Sequence, residues 1–289
     1  MAPKRAVLET LVRVRPRLAF AWADVEGRLA WRLGRCGPAA NDVQRFFAVG
    51  PEEARSIAIR IASTRVRNRA FMRLAQMRGL EAARRLVQVD ANNEVADRLR
   101  SGEPTIVVSL PMGCRVGIAV IFAGLSRSGV ILADIHRGPW SRWGFELSAP
   151  RGGDAGGAVA LKRAVDVLRD GGWVVAGLDG QAGPVDQRVD FLGGTLELRR
   201  GLGTLARLGG APVYPVHALW TSGSRPIRGV VGPAIAESPA FDDSDAVDRA
   251  MVVRVAEAMA ETVRATPGQC DTRFLEACVA APGASSPEP

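Results

Sequence analysis

Residues 179–217 read DGQAGPVDQRVDFLGGTLELRRGLGTLARLGGAPVYPVH. A strand-like apolar run ends at Asp179, and a second short one closes on Phe191. Gly193 and Gly194 break the pattern. After Arg199 and Arg200, apolar residues recur at helical spacing (Leu202, Leu205, Ala206, Leu208) until Gly209 and Gly210. Residues 211–216 then read as a buried strand. The order is strand, glycine loop, helix, strand. The loop and the helix start are expected to offer backbone N–H groups and two guanidinium forks to an anion. Gly193, Thr195, Arg199 and Arg200 are the phosphate-binding candidates of this stretch, and Arg115 and Arg137, at other strand ends, are two more.

The same β-loop-α-β rhythm recurs upstream. Residues 105–110 are almost wholly apolar, as a strand buried on both faces must be. A loop, a helix through Gly124 and a strand over 130–135 follow, and a further strand is expected at 172–178. The fold class is therefore α/β: a single, mostly parallel sheet flanked by helices, with its site at the carboxyl ends of the strands.

Around this sheet the pattern is helical. Residues 6–35 carry apolar positions at helical spacing with arginines between them, interrupted near Pro16. Pro51, followed by Glu52 and Glu53, starts a long helix expected to reach about Met77. Shorter helices are expected at 81–87, 93–100 and 159–168, the last after a flexible glycine loop at 151–157. Beyond His217, residues 222–233 read as an edge hairpin and 244–264 as a long helix capped by Ser244. The expected division is an amphipathic helical segment at 1–40, an α/β domain at 41–279, and an Ala-, Pro-, Gly- and Ser-rich disordered tail at 280–289.

Charge is unevenly spread. Of 38 Lys plus Arg and 30 Asp plus Glu, residues 1–100 hold 20 and 10, so the remaining 189 residues carry a net −2 against a total of +8. The basic N-terminal part is either a set of solvated helix faces or a surface for phosphates, of an anionic membrane or of RNA. DNA is not an expected partner. No apolar run is long enough to span a bilayer and no signal peptide is expected. Cys36, Cys114, Cys270 and Cys278 lack metal-ligand spacing, so neither a metal site nor a disulfide framework is expected and no cofactor is implied. A cytoplasmic setting, with contact at the inner membrane face left open, fits these features.

The pattern D-x-x…F-L-G…T…G-x-x-x-L-A-R-L…G-A-P-V-x-P-V within 179–217 resembles the second half of the late lipid A and phosphatidylinositol-mannoside acyltransferases, members of the lysophospholipid acyltransferase superfamily. The likeness extends more weakly from Val43 to the P-G-Q ending at Gln269. It implies acyl transfer from an activated donor, a membrane-associated N-terminal region and a phosphate-bearing substrate near Arg199 and Arg200. It also implies a histidine in the loop after the first strand, acting as base on the acceptor hydroxyl, with an Asp or Glu five residues on to orient it. Here those positions hold Pro111 and Val116, and neither side chain moves a proton.

Three readings stay open: a non-catalytic carrier- or lipid-binding relative, a base relocated elsewhere, or a changed acceptor. His136, with Arg137 beside it at a strand end, is the candidate base; His217, the other histidine, follows a buried strand and reads as a satisfied core or rim histidine. Cys114, at a helix start beside Arg115, is a candidate acyl-carrying nucleophile with a lowered pKa. Asp179 matches the family's acidic position and would orient a loop or a substrate amide. An amine or hydroxylamine attacks an activated ester without a strong base, which favours the changed acceptor. The expected activity is transfer of an acyl or aminoacyl group from aminoacyl-tRNA, acyl-CoA or acyl carrier protein to such an acceptor or to a hydroxyl, with tRNA-dependent antibiotic biosynthesis as one setting. A membrane-surface lipid or glycolipid acyltransferase is the alternative.

Overall fold

The computed structural model describes residues 15–35, 37–89, 94–123, 129–132, 143, 145–147, 154–178, 185–199, 201–235 and 244–280. In order these form α1 (Pro16–Arg32), α2 (Ala40–Phe47), α3 (Pro51–Arg84), β1 (Val87–Val89), α4 (Glu94–Ser101), β2 (Thr105–Ser109), α5 (Arg115–Phe122), β3 (Gly129–Leu132) and β4 (Phe145–Leu147). They continue with α6 (Asp154–Arg169), β5 (Trp173–Gly177), β6 (Val185–Phe191), β7 (Gly194–Arg199), α7 (Leu202–Gly209), β8 (Val213–Trp220), β9 (Ile227–Val231), α8 (Ser244–Ala265), a 3₁₀ turn (Pro267–Gln269) and α9 (Thr272–Ala280).

Seven strands make one sheet in the order β1-β9-β8-β2-β5-β3-β4. Every neighbouring pair is parallel except β8 with β9, which is a hairpin. The expected α/β fold is thus present. β2 lies at the centre, and all five of its residues are buried. Its alternating side chains feed two cores: Ile106 and Val108 join the layer of α2, α6, α7 and α8, while Val107 joins that of α5 and the distal half of α3.

α3 belongs to both layers. Ile57 and Ile61 in its first half pack in one core, Phe71 and Leu74 in the other. Its 34 residues, kinked at the non-helical Gly79, carry it across the carboxyl edge of the sheet. There Thr64 Oγ1 donates to Gly268 C=O at 3.1 Å and Asn68 Nδ2 donates to Gly113 C=O at 2.7 Å. α1 packs along α3, and Gly27 makes the approach possible: a Cβ at that position would lie 2.4 Å from Ser63 Cα.

Four expectations are corrected. The strand expected to stop at Val216 runs to Trp220, so His217 is inside β8 rather than after it. Residues 222–233 hold no edge hairpin of their own. Ile227–Val231 pairs with β8 and is covered on its other side by β1, whose three residues are too few to show a period. Val87, read as the end of a helix, starts that strand. Residues 154–157, read as loop, are the first turn of α6, whose buried Ala160, Ala164 and Leu168 hold it on the sheet. The remainder of the 151–157 loop and the 281–289 part of the tail lie outside the described residues.

Candidate functional site

The carboxyl edge of β2 leads into residues 110–114, the loop in which the resembling acyltransferases place their base. Here it is finished backbone architecture. Gly113 N–H donates to Gln269 C=O at 2.7 Å, Cys114 N–H to Ala218 C=O at 2.6 Å, and Pro111 C=O accepts from Asp271 N–H at 2.7 Å. Gly113 has φ of 58°, and a Cβ there would sit 2.2 Å from Ala218 O, so the loop is pressed onto β8 and admits only glycine at that point.

Gln269 completes the clamp. Its side-chain amide accepts from Trp220 N–H at 2.7 Å and donates to Trp220 C=O at 3.0 Å, pairing with the end of β8 as another strand would. Trp220 Nε1 in turn donates to Asn68 Oδ1 at 2.9 Å. The P-G-Q turn noted in the sequence therefore ties α3, β8 and the post-β2 loop together. The N–H groups of Met112, Gly113 and Cys114 are all donated within the chain and are unavailable to an oxyanion.

Cys114 is not the activated thiol expected. It is wholly buried, and desolvation pushes its pKa up, outweighing the helix-start N–H groups of Gly117 and Val116 that favour the thiolate. The neighbouring Arg115 is exposed on the first turn of α5 and exerts no lowering strong enough to reverse this. Val116 is buried as well.

His217 is 2% exposed, and neither ring nitrogen has a hydrogen-bond partner. It shares the strand phase of Val213 and Leu219, so it faces the layer containing Ile106 and Val108. Burial lowers its pKa to about 4. At neutral pH it is an uncharged imidazole within the core, with no path for a proton to solvent through a named partner.

The glycine stretch also differs from the expected anion cradle. β6 and β7 form a separate antiparallel hairpin, turning at Leu192 and Gly193. Gly193 N–H donates to Phe46 C=O at 2.8 Å, and a Cβ there would meet Arg45 O at 2.3 Å. Gly194 abuts Cys278 O in the same way, at 2.6 Å. The turn is thus glycine-rich because it is packed under α2 and α9, and the Gly193 N–H is unavailable to a ligand. Thr195 is buried opposite Asp190, and Arg199 ends β7 paired with Val185. Asp179, His136, Arg137 and Arg200 lie outside the described residues.

What the sequence reading missed is a cleft of about 730 Å³ between α1 and α3. Arg28 and Arg32 line it from α1, Arg55, Arg60 and Arg67 from α3, and Asp24 and Glu52 are its carboxylates. Thr64, Trp220, Gly268 and Gln269 complete its lining, and two of them, Trp220 and Gln269, belong to the clamp on the post-β2 loop. It therefore opens at the carboxyl edge of the parallel strands, where ligands of such sheets bind. Arg67 Nη2 is hydrogen-bonded to Asp24 Oδ2, and its guanidinium lies 5.7 Å from the Trp220 ring centroid. The signal was present as Arg28 and Arg32 one turn apart and as Arg55, Ser56, Arg60, Ser63 and Arg67 on one face of α3. It was invisible without knowing that Gly27 brings the two helices together.

Among the described residues, no group of His, Cys, Asp and Glu side chains is placed to hold a metal, and no helix is long and apolar enough to cross a membrane. No protein-family model matches the chain and no curated protein matches it. Among solved structures it is similar to the crystal structure of the 1-acyl-sn-glycerophosphate (LPA) acyltransferase PlsC from Thermotoga maritima, with 14% sequence identity and a TM-score of 0.41, over 86% of this chain and 98% of that chain.

Proposed function

We propose that the protein is an acyl-group transferase that binds an activated, phosphate-bearing donor in the α1–α3 cleft and passes its acyl or aminoacyl group to a small amine or hydroxylamine. The observation that carries this reading is the position of the cleft. An arginine-lined cavity opens at the carboxyl edge of the sheet against the post-β2 loop, and that loop contains no side chain able to take a proton. The resemblance of residues 179–217 to the lysophospholipid acyltransferase superfamily agrees with the same reaction class.

In this reaction the acceptor nitrogen forms a bond to the donor carbonyl carbon, and the C–O or C–S bond to the carrier breaks. The proton lost by nitrogen ends on the leaving oxygen or sulfur. An unprotonated amine carries its own lone pair, so the missing histidine and acid remove less from this reaction than from transfer to a hydroxyl. Aminoacyl-tRNA, acyl-CoA and acyl carrier protein all fit the requirement for a phosphate-bearing donor, and each is tested directly. Purified protein is incubated with each donor and with matched amine, hydroxylamine and alcohol acceptors, and product is followed by mass. Transfer to the nitrogen acceptors with a rate that follows the acceptor's own ionisation supports the proposal. Transfer to alcohols alone, governed by a group of pKa near about 6.5, places a base on the protein and overturns the choice of acceptor. No transfer from any donor leaves a non-catalytic binding protein.

A second reading, transfer at a membrane surface, draws support from α1. Leu18, Trp22, Val25, Leu29 and Leu33 are 39–56% exposed and recur at one-turn spacing, with Arg15, Arg17, Arg28 and Arg32 nearby. Such a stripe suits the interface of an anionic bilayer. Sedimentation with anionic vesicles at low salt, lost in Trp22→Glu and at high salt, supports peripheral attachment. Protein that remains in the supernatant at low salt removes it.

A further inference from the structure

The α1–α3 cleft holds more positive charge than the protein itself uses. Of its five arginines, Arg67 is engaged by Asp24 and by the Trp220 ring. Arg55 lies 5.8 Å from the Trp31 ring centroid and has no carboxylate partner among the described residues. Arg28, Arg32 and Arg60 form no ion pair among the described residues, and with Asp24 taken, Glu52 is the remaining carboxylate of the lining. Arg28 and Arg32 are four residues apart on one helix face, an arrangement of like charges that works mildly against the helix and that an anion beside them would relieve.

Arg60 is held in place by a different device. A Cβ at Gly268 would lie 2.6 Å from Arg60 Cβ and 3.0 Å from its Nε, so the bare backbone at this turn lets the arginine stem lie flat across it. The side chain is thereby directed along the floor of the cleft. Thr64 and Gln269 beside it are already committed to Gly268 and Trp220, which leaves the guanidinium groups as the free recognition elements.

We propose that this cleft is a site for a diphosphate group, with Arg28 and Arg32 of α1 on one wall and Arg55 and Arg60 of α3 on the other. The inference rests on the reading that the donor bears phosphate, and it names the group that is bound. Four guanidinium groups against one carboxylate leave three positive charges in a single recess, which suits two adjoining phosphates better than one. Each guanidinium fork matches a phosphate edge with paired N–H donors. The volume is that of a small-molecule pocket. A nucleic-acid backbone spreads its phosphates over a surface and is met by an open basic stripe, and that is a different arrangement. The diphosphate comes either from a nucleotide-type carrier or as the free ion.

The test is calorimetric titration of the full-length protein at fixed ionic strength with inorganic pyrophosphate, orthophosphate and ADP. Pyrophosphate is expected to bind at one site at least about 10-fold more tightly than orthophosphate, and Arg28→Gln and Arg60→Gln are each expected to weaken it by roughly 10-fold. Arg69→Gln, an exposed arginine of α3 outside the cleft, is expected to change it by less than about 2-fold. Unaltered thermal unfolding of the three variants establishes that they are folded. ADP competing for the pyrophosphate site assigns the group to a nucleotide-type carrier; pyrophosphate binding without ADP competition assigns the free ion.

Equal affinity for orthophosphate and pyrophosphate overturns the proposal. So does an Arg69→Gln loss as large as that of the cleft variants, or tRNA binding that pyrophosphate does not displace, since either marks a general basic surface. The two readings fail separately. A pyrophosphate site in a protein that transfers no acyl group sinks the transferase and leaves the site. Transfer whose donor KM is unmoved by Arg28→Gln and Arg60→Gln sinks the site and leaves the transferase.

Discussion

The post-β2 loop and the α1–α3 cleft share residues but are built on opposite principles. In the loop every named N–H is donated within the chain, and Leu110, Pro111, Met112 and Cys114 are all buried. Across the clamp formed by Asn68, Trp220 and Gln269, the cleft leaves four arginines, Arg28, Arg32, Arg55 and Arg60, without ion pairs among the described residues. Buried polar groups in a folded protein are satisfied as a rule, so the N–H groups of Met112, Gly113 and Cys114 are spent on structure, while the exposed guanidinium groups that line the cleft without carboxylate partners are open to a ligand. The difference teaches that the chemistry of this molecule is to be sought on the helical side of the carboxyl edge, not in the loop itself.

Four measurements break or sharpen that contrast. The largest effect is expected from grafting the histidine and acid of the resembling acyltransferases, Pro111→His with Val116→Asp. Val116 is 7% exposed, so its replacement takes a carboxylate into an apolar site and costs roughly 3 to 5 kcal/mol. Urea unfolding measures it. A stable double variant that also turns over alcohols faster would show the loop to be a catalytic position after all.

His217 supplies the next. Its pKa of about 4 lies below the ordinary value of 6.5, so the folded state prefers the neutral ring while the unfolded chain takes up a proton as pH falls through 6.5. Stability from this residue is therefore fully present above about pH 6.5, is lost progressively down to about pH 4, and levels off below. The loss is on the order of 3 kcal/mol. His217→Leu is expected to remove that portion of the pH dependence of unfolding. The same slope in His217→Leu would show that the ring is solvated in the folded protein.

The clamp comes third. Asn68→Ala leaves Gly113 C=O and Trp220 Nε1 without their partners, and a loss of about 2 kcal/mol is expected by denaturation. Trp220 fluorescence should shift as the cleft floor loosens. A smaller loss with unchanged fluorescence would mean that Gln269 alone holds the loop to the cleft.

The smallest effect belongs to charge on the far hairpin. Arg188 Nε and Nη2 both donate to Glu197 Oε1 across β6 and β7, at 3.1 and 3.0 Å, but the pair is exposed. Arg188→Ala is expected to cost under about 1 kcal/mol and to leave pyrophosphate affinity untouched. A change in that affinity would tie the hairpin to the cleft and weaken the contrast between the regions.

Much of the frame was legible in the chain itself. The almost wholly apolar run of β2, the β-loop-α-β rhythm and the glycines after Leu208 point to a parallel α/β sheet because each is a local consequence of burial on both faces and of helix termination. Pro51 with its two glutamates marked the start of α3, and Ser244 that of α8. The absence of a proton-moving residue at 111 and 116 was likewise plain, since side-chain chemistry is a property of the residue.

What tertiary structure alone decided is the meaning of the glycines and the arginines. Gly193 and Gly194 read as a phosphate loop by composition, yet they are small because α2 and α9 press on them. Cys114 read as a reactive thiol beside an arginine, and burial reversed the sign of its shift. Arg28 and Arg32 stand more than twenty residues from Arg55 and Arg60 in the chain, and only the close crossing at Gly27 and Ser63 makes one cleft of them. Period and composition report what each segment wants to bury; which N–H groups are already spent, and which like charges end up facing one another, depends on contacts between segments far apart in sequence.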